Sequence, residues 1–177
     1  NQVIDIVYFL NTKISPQYKN LFRDQLKQLI KSGILNKTKC KLHIICIRDN
    51  ENQENSIKDV INSLELYKNC ETNLIFKNDL AIGAGGVNLF ERIYLGLPSI
   101  VIDIDKNQLL NIKNAKKRGL INHLSRKKFT INRLVKMIQV LIKNQDKFNK
   151  ISVKCFNYLK LDQKKHISKL LNLRINL

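Results

Sequence analysis

The stretch Leu80-Ala81-Ile82-Gly83-Ala84-Gly85-Gly86 decides the fold of this chain, because it joins an apolar strand pattern to a glycine-rich turn. A helical pattern follows from Asn88 to Leu95, and Gly96 with Pro98 ends it. The apolar run Ser99 to Ile104 then predicts the next strand. A strand, a tight turn, a helix and a second strand form the βαβ unit of a parallel sheet.

Short apolar runs alternate with amphipathic helical patterns along the rest of the chain. This alternation predicts a Rossmann-like α/β domain in three layers, with helices on both faces of a parallel sheet. We assign residues 1–145 to this domain and residues 146–177 to a C-terminal helical extension packed on it. The other strands are predicted at Val3 to Leu10, Leu42 to Ile47, Leu64 to Tyr67 and near Leu120 to His123. The other helices are predicted from Ser15 to a stop at Gly33, through Ile57 to Ile61, over Glu71 to Lys77, from Asn107 to Arg118 with a stop at Gly119, after an N-cap at Thr130, and from Asp146 to Leu173.

The composition is that of a globular protein with a strongly basic surface. The chain has 177 residues, of which 44% are hydrophobic, and its net charge is +18. One interpretation is an anionic partner, and the other is that lysine fills exposed positions by default. The basic runs at Lys116-Lys117-Arg118 and Arg126-Lys127-Lys128 carry no interleaved aromatic residues, so we expect no specific nucleic-acid partner. Peripheral contact with an acidic membrane stays open.

Cysteine and histidine spacing predicts a reduced protein without a metal site or cofactor. The four cysteines form no C-x-x-C pair, and the three histidines are far apart. No apolar run approaches the ~20 residues that span a bilayer, and the first ten residues lack a signal-peptide pattern, so we expect a cytoplasmic protein. The chain begins at Asn1, which indicates that further sequence precedes it.

The glycine turn is the main candidate for a binding site. Glycines between a strand and a helix let a phosphate approach the backbone, and they allow φ > 0, so that successive amides can point inward. The helix that follows adds free N–H groups and a positive dipole end. The alternative is a tight turn without a ligand. Neither G-x-G-x-x-G nor a Gly-Lys-Ser/Thr ending is present, which excludes the common dinucleotide and P-loop fingerprints.

Polar residues near the turn extend this candidate site. Glu91 lies one helical turn after the glycines, where a carboxylate can accept hydrogen bonds from a ribose diol; its alternative role is helix electrostatics. Asn107 and Gln108 open the next helix, and their amides can donate to phosphate or sugar oxygens. Their alternative role is to cap that helix.

Taken in order, these residues resemble a known pattern. Its elements are Asp79 to Gly86, then Glu91-Arg92, then Leu95-Gly96-Leu97-Pro98-Ser99-Ile100-Val101-Ile102, then Asn107-Gln108. The pattern is similar to the C-terminal domain of the UDP-sugar hydrolases of pseudaminic acid biosynthesis and, more distantly, to that of the family 28 glycosyltransferases. The resemblance is strong over Asp79 to Gln108, and a weaker agreement in element order covers most of the chain.

The resemblance implies a GT-B fold, in which two Rossmann-like domains face each other and the C-terminal one holds UDP. The chain would then be the UDP-sugar-binding half of a hydrolase that releases UDP, inactive without its N-terminal domain. The alternatives are the donor domain of a glycosyltransferase and a non-catalytic binding domain. The resemblance implies that Glu91 binds the ribose and that the amides of Gly85, Gly86, Val87 and Asn88 bind the diphosphate. It also implies that Asn107 and Gln108 bind the diphosphate or the sugar. The backbone around Tyr67 and Lys68 would bind uracil.

The chain departs from the family pattern at several positions. Val87-Asn88 stands where the family commonly has Ser-Thr, so hydroxyl contacts to phosphate are lost or replaced by the Asn side chain. A second Gly-Gly-Ser turn is replaced by Asn11 to Ser15, where Lys13 could supply charge. No residue matches the catalytic histidine, which the family carries in the N-terminal domain. We expect His43 to be structural and His123 to be only a weak candidate for the cleft.

Overall fold

The computed structural model describes residues 4–11, 24–25, 27–33, 40–47, 66–67 and 78–170. Its six described strands form one parallel sheet in the order β3-β2-β1-β4-β5-β6. This sheet confirms the predicted Rossmann-like fold. The strands are β1 (Ile4–Asn11), β2 (Cys40–Ile47), β3 (Leu66–Tyr67), β4 (Leu80–Ala84), β5 (Ser99–Ile102) and β6 (Asn122–Leu124). The α-helices are α1 (Val87–Tyr94), α2 (Leu109–Lys117), α3 (Ile131–Lys143) and α4 (Gln145–Leu170). Short 3-10 helices lie at Lys106–Gln108 and Arg126–Lys128, and residues 24–25 and 27–31 are also helical.

The strand order positions a crevice between β1 and β4. Successive strands run outward in one direction from β1 to β3 and in the other direction from β4 to β6. Connections therefore leave β1 and β4 toward opposite sides, and their carboxyl ends part at this point. Open parallel sheets bind ligands in the crevice formed where the order reverses. The glycine turn follows β4 directly and so lies beside this crevice.

Apolar packing of the central strands against the helices holds the turn in place. The side chains of Ile82, Ile100 and Val101 are completely buried, as are Leu89 and, nearly so, Ile93 of α1. Full burial of such a side chain contributes about 1.5–3 kcal/mol. The strand that carries the turn is thus anchored on both sides before any polar contact is counted.

The C-terminal helix α4 closes the edge of the sheet opposite the glycine turn. Its residues Phe148, Ile151 and Cys155 belong to the hydrophobic core. The Cys155 thiol donates to the Leu120 carbonyl oxygen at 3.1 Å. Burial raises the pKa of this thiol to about 12, so it stays protonated and unreactive at neutral pH.

Element boundaries differ from prediction mainly near the turn. β4 extends to Ala84, so Gly83 is a strand residue rather than part of the turn, and β5 ends at Ile102 because the chain leaves the sheet there. Asn107 lies in a short 3-10 helix, and α2 begins only at Leu109. The predicted helices through Ile57 to Ile61 and over Glu71 to Lys77, and the start of the helix at Ser15-Pro16, lie outside the described residues. In the part of the chain that the structure describes, none of the helices is both long enough and apolar enough to cross a bilayer.

Candidate functional site

Gly85 is required for space rather than for an unusual backbone conformation. The described glycines with positive φ are Gly33, Gly96 and Gly119, so the expectation that the glycine turn uses φ > 0 was wrong. A Cβ on Gly85 would lie 2.4 Å from Ile112 Cγ1 and 2.5 Å from Ile112 Cδ1. The turn therefore presses directly on α2, and the bare glycine allows that close approach.

Gly86 is less buried than Gly85. It is the N-cap of α1, with φ −77° and ψ −156°, and it accepts a hydrogen bond from the Leu89 amide at 3.0 Å. Among the residues that the structure describes, a Cβ there would come near only Gln108 Nε2, at 3.6 Å. The first N–H groups of a helix have no intrahelical acceptor, and no acidic residue lies in the first turn of α1. This end of α1 is suited to an anion.

Gln108 lies directly against the turn. The Gly85 amide donates to Gln108 Oε1 at 3.2 Å, which sets the orientation of the side-chain amide. Its Nε2 group consequently faces Gly86. Asn107 is exposed on the same 3-10 helix. The predicted association of Gln108 with the glycine turn is thus observed, and the Gly85 amide already has an acceptor within the protein.

Arg92 is a site residue that sequence reasoning did not single out. Its side chain is 1% exposed; Nε donates to the Asn88 carbonyl at 3.0 Å and Nη2 to the Ala84 carbonyl at 2.5 Å. The signal was present in the helical spacing, because Leu89, Arg92 and Ile93 share the buried face of α1. An arginine on a buried face needs polar partners, and here the backbone carbonyls on either side of the glycine turn supply them.

The other predicted binding residues lie at varying distances from the turn. Glu91 is exposed on α1, and Asn88 is half-buried in its first turn. Tyr67 ends β3, which is three strands from β4 and so about 14 Å away across the sheet. Lys68 lies outside the described residues. The roles predicted for these four residues stay predictions.

A histidine–aspartate pair lies at the same edge of the sheet. His123 Nε2 is 2.7 Å from Asp103 Oδ1, and the Arg126 amide donates to the same oxygen at 2.9 Å. Burial raises the pKa of the Asp103 carboxyl, but hydrogen bonds from His123 and Arg126 and the charge of His123 outweigh it, so the pKa lies below its usual value. His123 pairs in register with Val101, and Val101 with Gly83, so His123 is two strands, about 10 Å, from β4.

One cavity in the described part of the molecule lies away from the glycine turn. It measures about 290 Å³ and is located at the opposite edge of the sheet, beside the end of α1 and the start of α4. Its lining residues are Asn78, Asp79, Leu95, Gly96, Leu97, Pro98, Gln145, Phe148, Asn149 and Ser152, none of which is a predicted binding residue.

Comparison by sequence finds no match: neither a protein-family model nor a curated protein is similar to this chain. Comparison by structure finds many similar folds. MurG of Acinetobacter baumannii matches with a TM-score of 0.72 and 15% identity, over 97% of this chain and 50% of MurG. The chain therefore spans about half the length of that protein, and it has the fold of one half of a GT-B protein.

Two further similar structures are those of nucleotide-binding proteins. The spinosyn rhamnosyltransferase SpnG, solved with thymidine diphosphate, matches with a TM-score of 0.67 and 14% identity, over 89% of this chain and 42% of SpnG. The C-terminal CMP-Kdo binding domain of WaaA from Acinetobacter baumannii matches with a TM-score of 0.64 and 10% identity, over 88% of this chain and 89% of that domain. At such low identity the likeness establishes the fold.

Proposed function

We propose that this chain is the donor-binding half of a GT-B enzyme and that it holds the diphosphate of a nucleotide-sugar at Gly85-Gly86. The observation that carries the proposal is the position of the turn. It follows β4 where the strand order reverses, and it opens onto the first turn of α1. That place is where an open parallel sheet binds ligands, and a helix N-terminus there favours an anion.

The geometry of the turn supports a diphosphate in particular. Among the described residues only Gln108 comes near the space beside Gly86, so the N–H groups of Gly86, Val87 and Asn88 are the donors we assign to the phosphate oxygens. Gln108 Nε2 adds a side-chain donor from the other side of the turn. The Gly85 amide is assigned a supporting role, because it donates to Gln108.

The nucleoside part of the proposal rests on sequence and on similar folds. The motif resemblance over Asp79 to Gln108 favours a UDP-sugar, with the exposed carboxylate of Glu91 accepting from the ribose hydroxyls. SpnG was solved with thymidine diphosphate, and the WaaA domain is described as binding CMP-Kdo. These similarities support a nucleotide-sugar as the ligand, and we propose UDP as its nucleotide.

For the reaction we propose hydrolysis of the sugar–UDP bond, as the motif resemblance implies, with sugar transfer as the second candidate because MurG and SpnG are similar folds. In either reaction UDP leaves, and donors aimed at the diphosphate stabilise the charge that develops on it. The catalytic histidine is assigned to a partner domain, so we expect no UDP release by the 177-residue chain alone. A normal turnover number for this chain would contradict that assignment. Flotation with acidic liposomes separates the two reactions, since a hydrolase should stay in solution.

The binding proposal is tested by calorimetry with UDP and uridine on the parent chain and on Gly86→Ala. A methyl group at Gly86 fits the unliganded turn but occupies the space over the backbone, so UDP affinity should fall about tenfold, the equivalent of about 1.4 kcal/mol. Uridine affinity and the unfolding midpoint should hardly change. Absence of heat at about 1 mM UDP, a concentration that detects affinities near −4 kcal/mol, would contradict the proposal.

A further inference from the structure

We propose that Arg92 and Gln108 are positioning residues that hold the Ala84–Gly85 peptide group from its two sides, and that this hold sets the anion affinity of the glycine turn. The second part of the inference rests on the function proposed above. The two contacts concern one rigid unit, because the Ala84 carbonyl and the Gly85 amide belong to the same planar peptide. Arg92 Nη2 donates to the Ala84 carbonyl oxygen at 2.5 Å, and the Gly85 N–H donates to Gln108 Oε1 at 3.2 Å.

The hold prevents rotation of this peptide group. A flip of this peptide would replace the Gly85 N–H by the Ala84 carbonyl oxygen on the side that faces Gln108, where the oxygen would repel an anion bound at Gly86. Glycine permits such a flip at little cost, so Gly85 provides no resistance of its own. The two hydrogen bonds supply that resistance, since both would break if the peptide rotated.

Arg92 also joins the two sides of the turn. Its Nε group donates to the Asn88 carbonyl at 3.0 Å, so one planar guanidinium bridges the end of β4 and the first turn of α1. The fork of the guanidinium has a fixed geometry, which a lysine ammonium lacks. The spacing between strand end and helix start, and with it the direction of the amides between them, is therefore set by Arg92.

Gln108 uses its oxygen to accept from the Gly85 amide, and this contact directs its NH₂ group toward the proposed ligand. Because Oε1 accepts from Gly85, the Nε2 group is turned toward Gly86, 3.6 Å from where a Cβ would be. Arg92 therefore acts on the anion through the peptide, and Gln108 acts both on the peptide and on the space above Gly86. A side chain that only anchored α1 to the sheet would have no such consequence for binding.

The test compares Arg92→Met, Arg92→Lys and Gln108→Met with Ile93→Val, a matched control on the buried face of α1 that does not contact the peptide. Amide exchange of Gly85, measured by NMR without ligand, reports the hold. Affinities for UDP, pyrophosphate and uridine report its effect on binding. In Arg92→Met we expect the Gly85 amide to exchange about tenfold faster and the affinities for UDP and pyrophosphate to fall about tenfold. The reason is that the hydrogen bond from the ionised guanidinium to the Ala84 carbonyl is lost. Uridine affinity should stay within about twofold of the parent.

The affinity of Arg92→Lys for UDP should lie between those of Arg92→Met and the parent. An affinity equal to that of the parent would contradict the role of the planar guanidinium. Equal acceleration of exchange throughout β4 and α1, with the UDP-to-uridine ratio unchanged, would reduce Arg92 to an anchor and overturn the proposal. If Arg92→Met does not fold, Gln108→Met decides: unchanged Gly85 exchange in that variant overturns the hold. A parent chain that binds neither UDP nor pyrophosphate contradicts the proposed function instead, while the exchange measurement still tests the hold itself.

Discussion

The two ends of α1 both carry glycine turns, at opposite edges of the sheet, and the surroundings of the two turns differ. At the carboxyl edge, Gly85 and Gly86 have ordinary φ values, and the glycines are needed for the space around them. Gly85 is pressed against Ile112, whereas only Gln108 comes near Gly86 among the described residues. At the amino edge, Gly96 has a φ of +69°, so the glycine is needed for its conformation.

The protein's own C-terminal helix fills the space at the amino edge. Ser152 Oγ donates to the Gly96 carbonyl at 2.6 Å, and Phe156 packs against the same glycine. No comparable element of the described chain covers Gly86. The two glycine turns therefore differ in what the described chain places beside them: helix α4 at Gly96, and the Gln108 side chain at Gly86.

The largest effect is expected from Gly85→Ala. The new methyl group would meet the Ile112 side chain, so we expect a loss of about 2–3 kcal/mol in the free energy of unfolding, typical of overpacking in a core. Urea denaturation measures it. In Gly85→Ala/Ile112→Ala the methyl group occupies space that the smaller residue vacates, so the double variant should lose less than the sum of the singles. Simple additivity would contradict the steric explanation.

Gly96→Ala should cost about 1–2 kcal/mol, because an alanine in the left-handed region is strained. Thermal unfolding checks this value. UDP affinity at temperatures where the variant is folded should equal that of the parent, because the change lies at the far end of α1. A fall in affinity as large as that of Gly86→Ala would break the distinction between the two edges.

Glu91→Ala tests whether the carboxylate on α1 contacts the nucleoside part of the ligand. Glu91 is exposed, so its removal should change the free energy of unfolding by less than about 0.5 kcal/mol. If its carboxylate accepts from the ribose, UDP affinity should fall about tenfold, whereas pyrophosphate affinity should be unchanged. Calorimetry with both ligands measures the two affinities. Equal loss for UDP and pyrophosphate would instead indicate a general effect on the helix end.

The smallest effect concerns Asp103, which pairs with His123 at the carboxyl edge of the sheet. Because its folded-state pKa lies below the ordinary 3.8, ionised Asp103 contributes stability above that pH, and the contribution is lost as pH falls through the lowered pKa. Asp103→Asn should therefore be less stable than the parent at pH 7, by about 1 kcal/mol for one hydrogen bond.

This difference should narrow below pH 3.8, as measured by urea denaturation across pH. His123→Gln, which keeps a donor toward Asp103, serves as the control and should lose less stability. A parent–variant difference that is constant down to strongly acidic pH would contradict the stabilising role of the ionised carboxylate. UDP affinity of Asp103→Asn at pH 7 should match the parent, since the pair lies two strands from the glycine turn.

Local sequence patterns predicted much of the fold correctly. Gly33, Gly96 and Gly119 were assigned as helix ends, and all three have positive φ. Thr130 was assigned as a helix cap, and its Oγ1 accepts from the Arg133 amide at 3.3 Å. Such features depend on residues within one helical turn of each other, so the sequence contains the whole interaction.

The contacts that shape the candidate site join residues far apart in the chain. Gln108 reaches Gly85 across 23 positions, and His123 reaches Asp103 across 20. No local pattern encodes these pairs, because they depend on which strands become neighbours in the sheet. Arg92 is intermediate: its partners are 4 and 8 positions away, but its burial follows from the packing of α1 on the sheet.

By itself, the sequence determined the alternation of strands and helices, the parallel sheet and the place of the glycine turn, because periodicity and turn residues act over a few residues. Only the tertiary structure decided why the glycines are there. Gly85 makes room for Ile112, Gly86 has only Gln108 near it among the described residues, and Arg92 and Gln108 hydrogen-bond to the Ala84–Gly85 peptide. The physical reason is that steric exclusion and buried hydrogen bonding depend on neighbours that the chain acquires only when the sheet assembles.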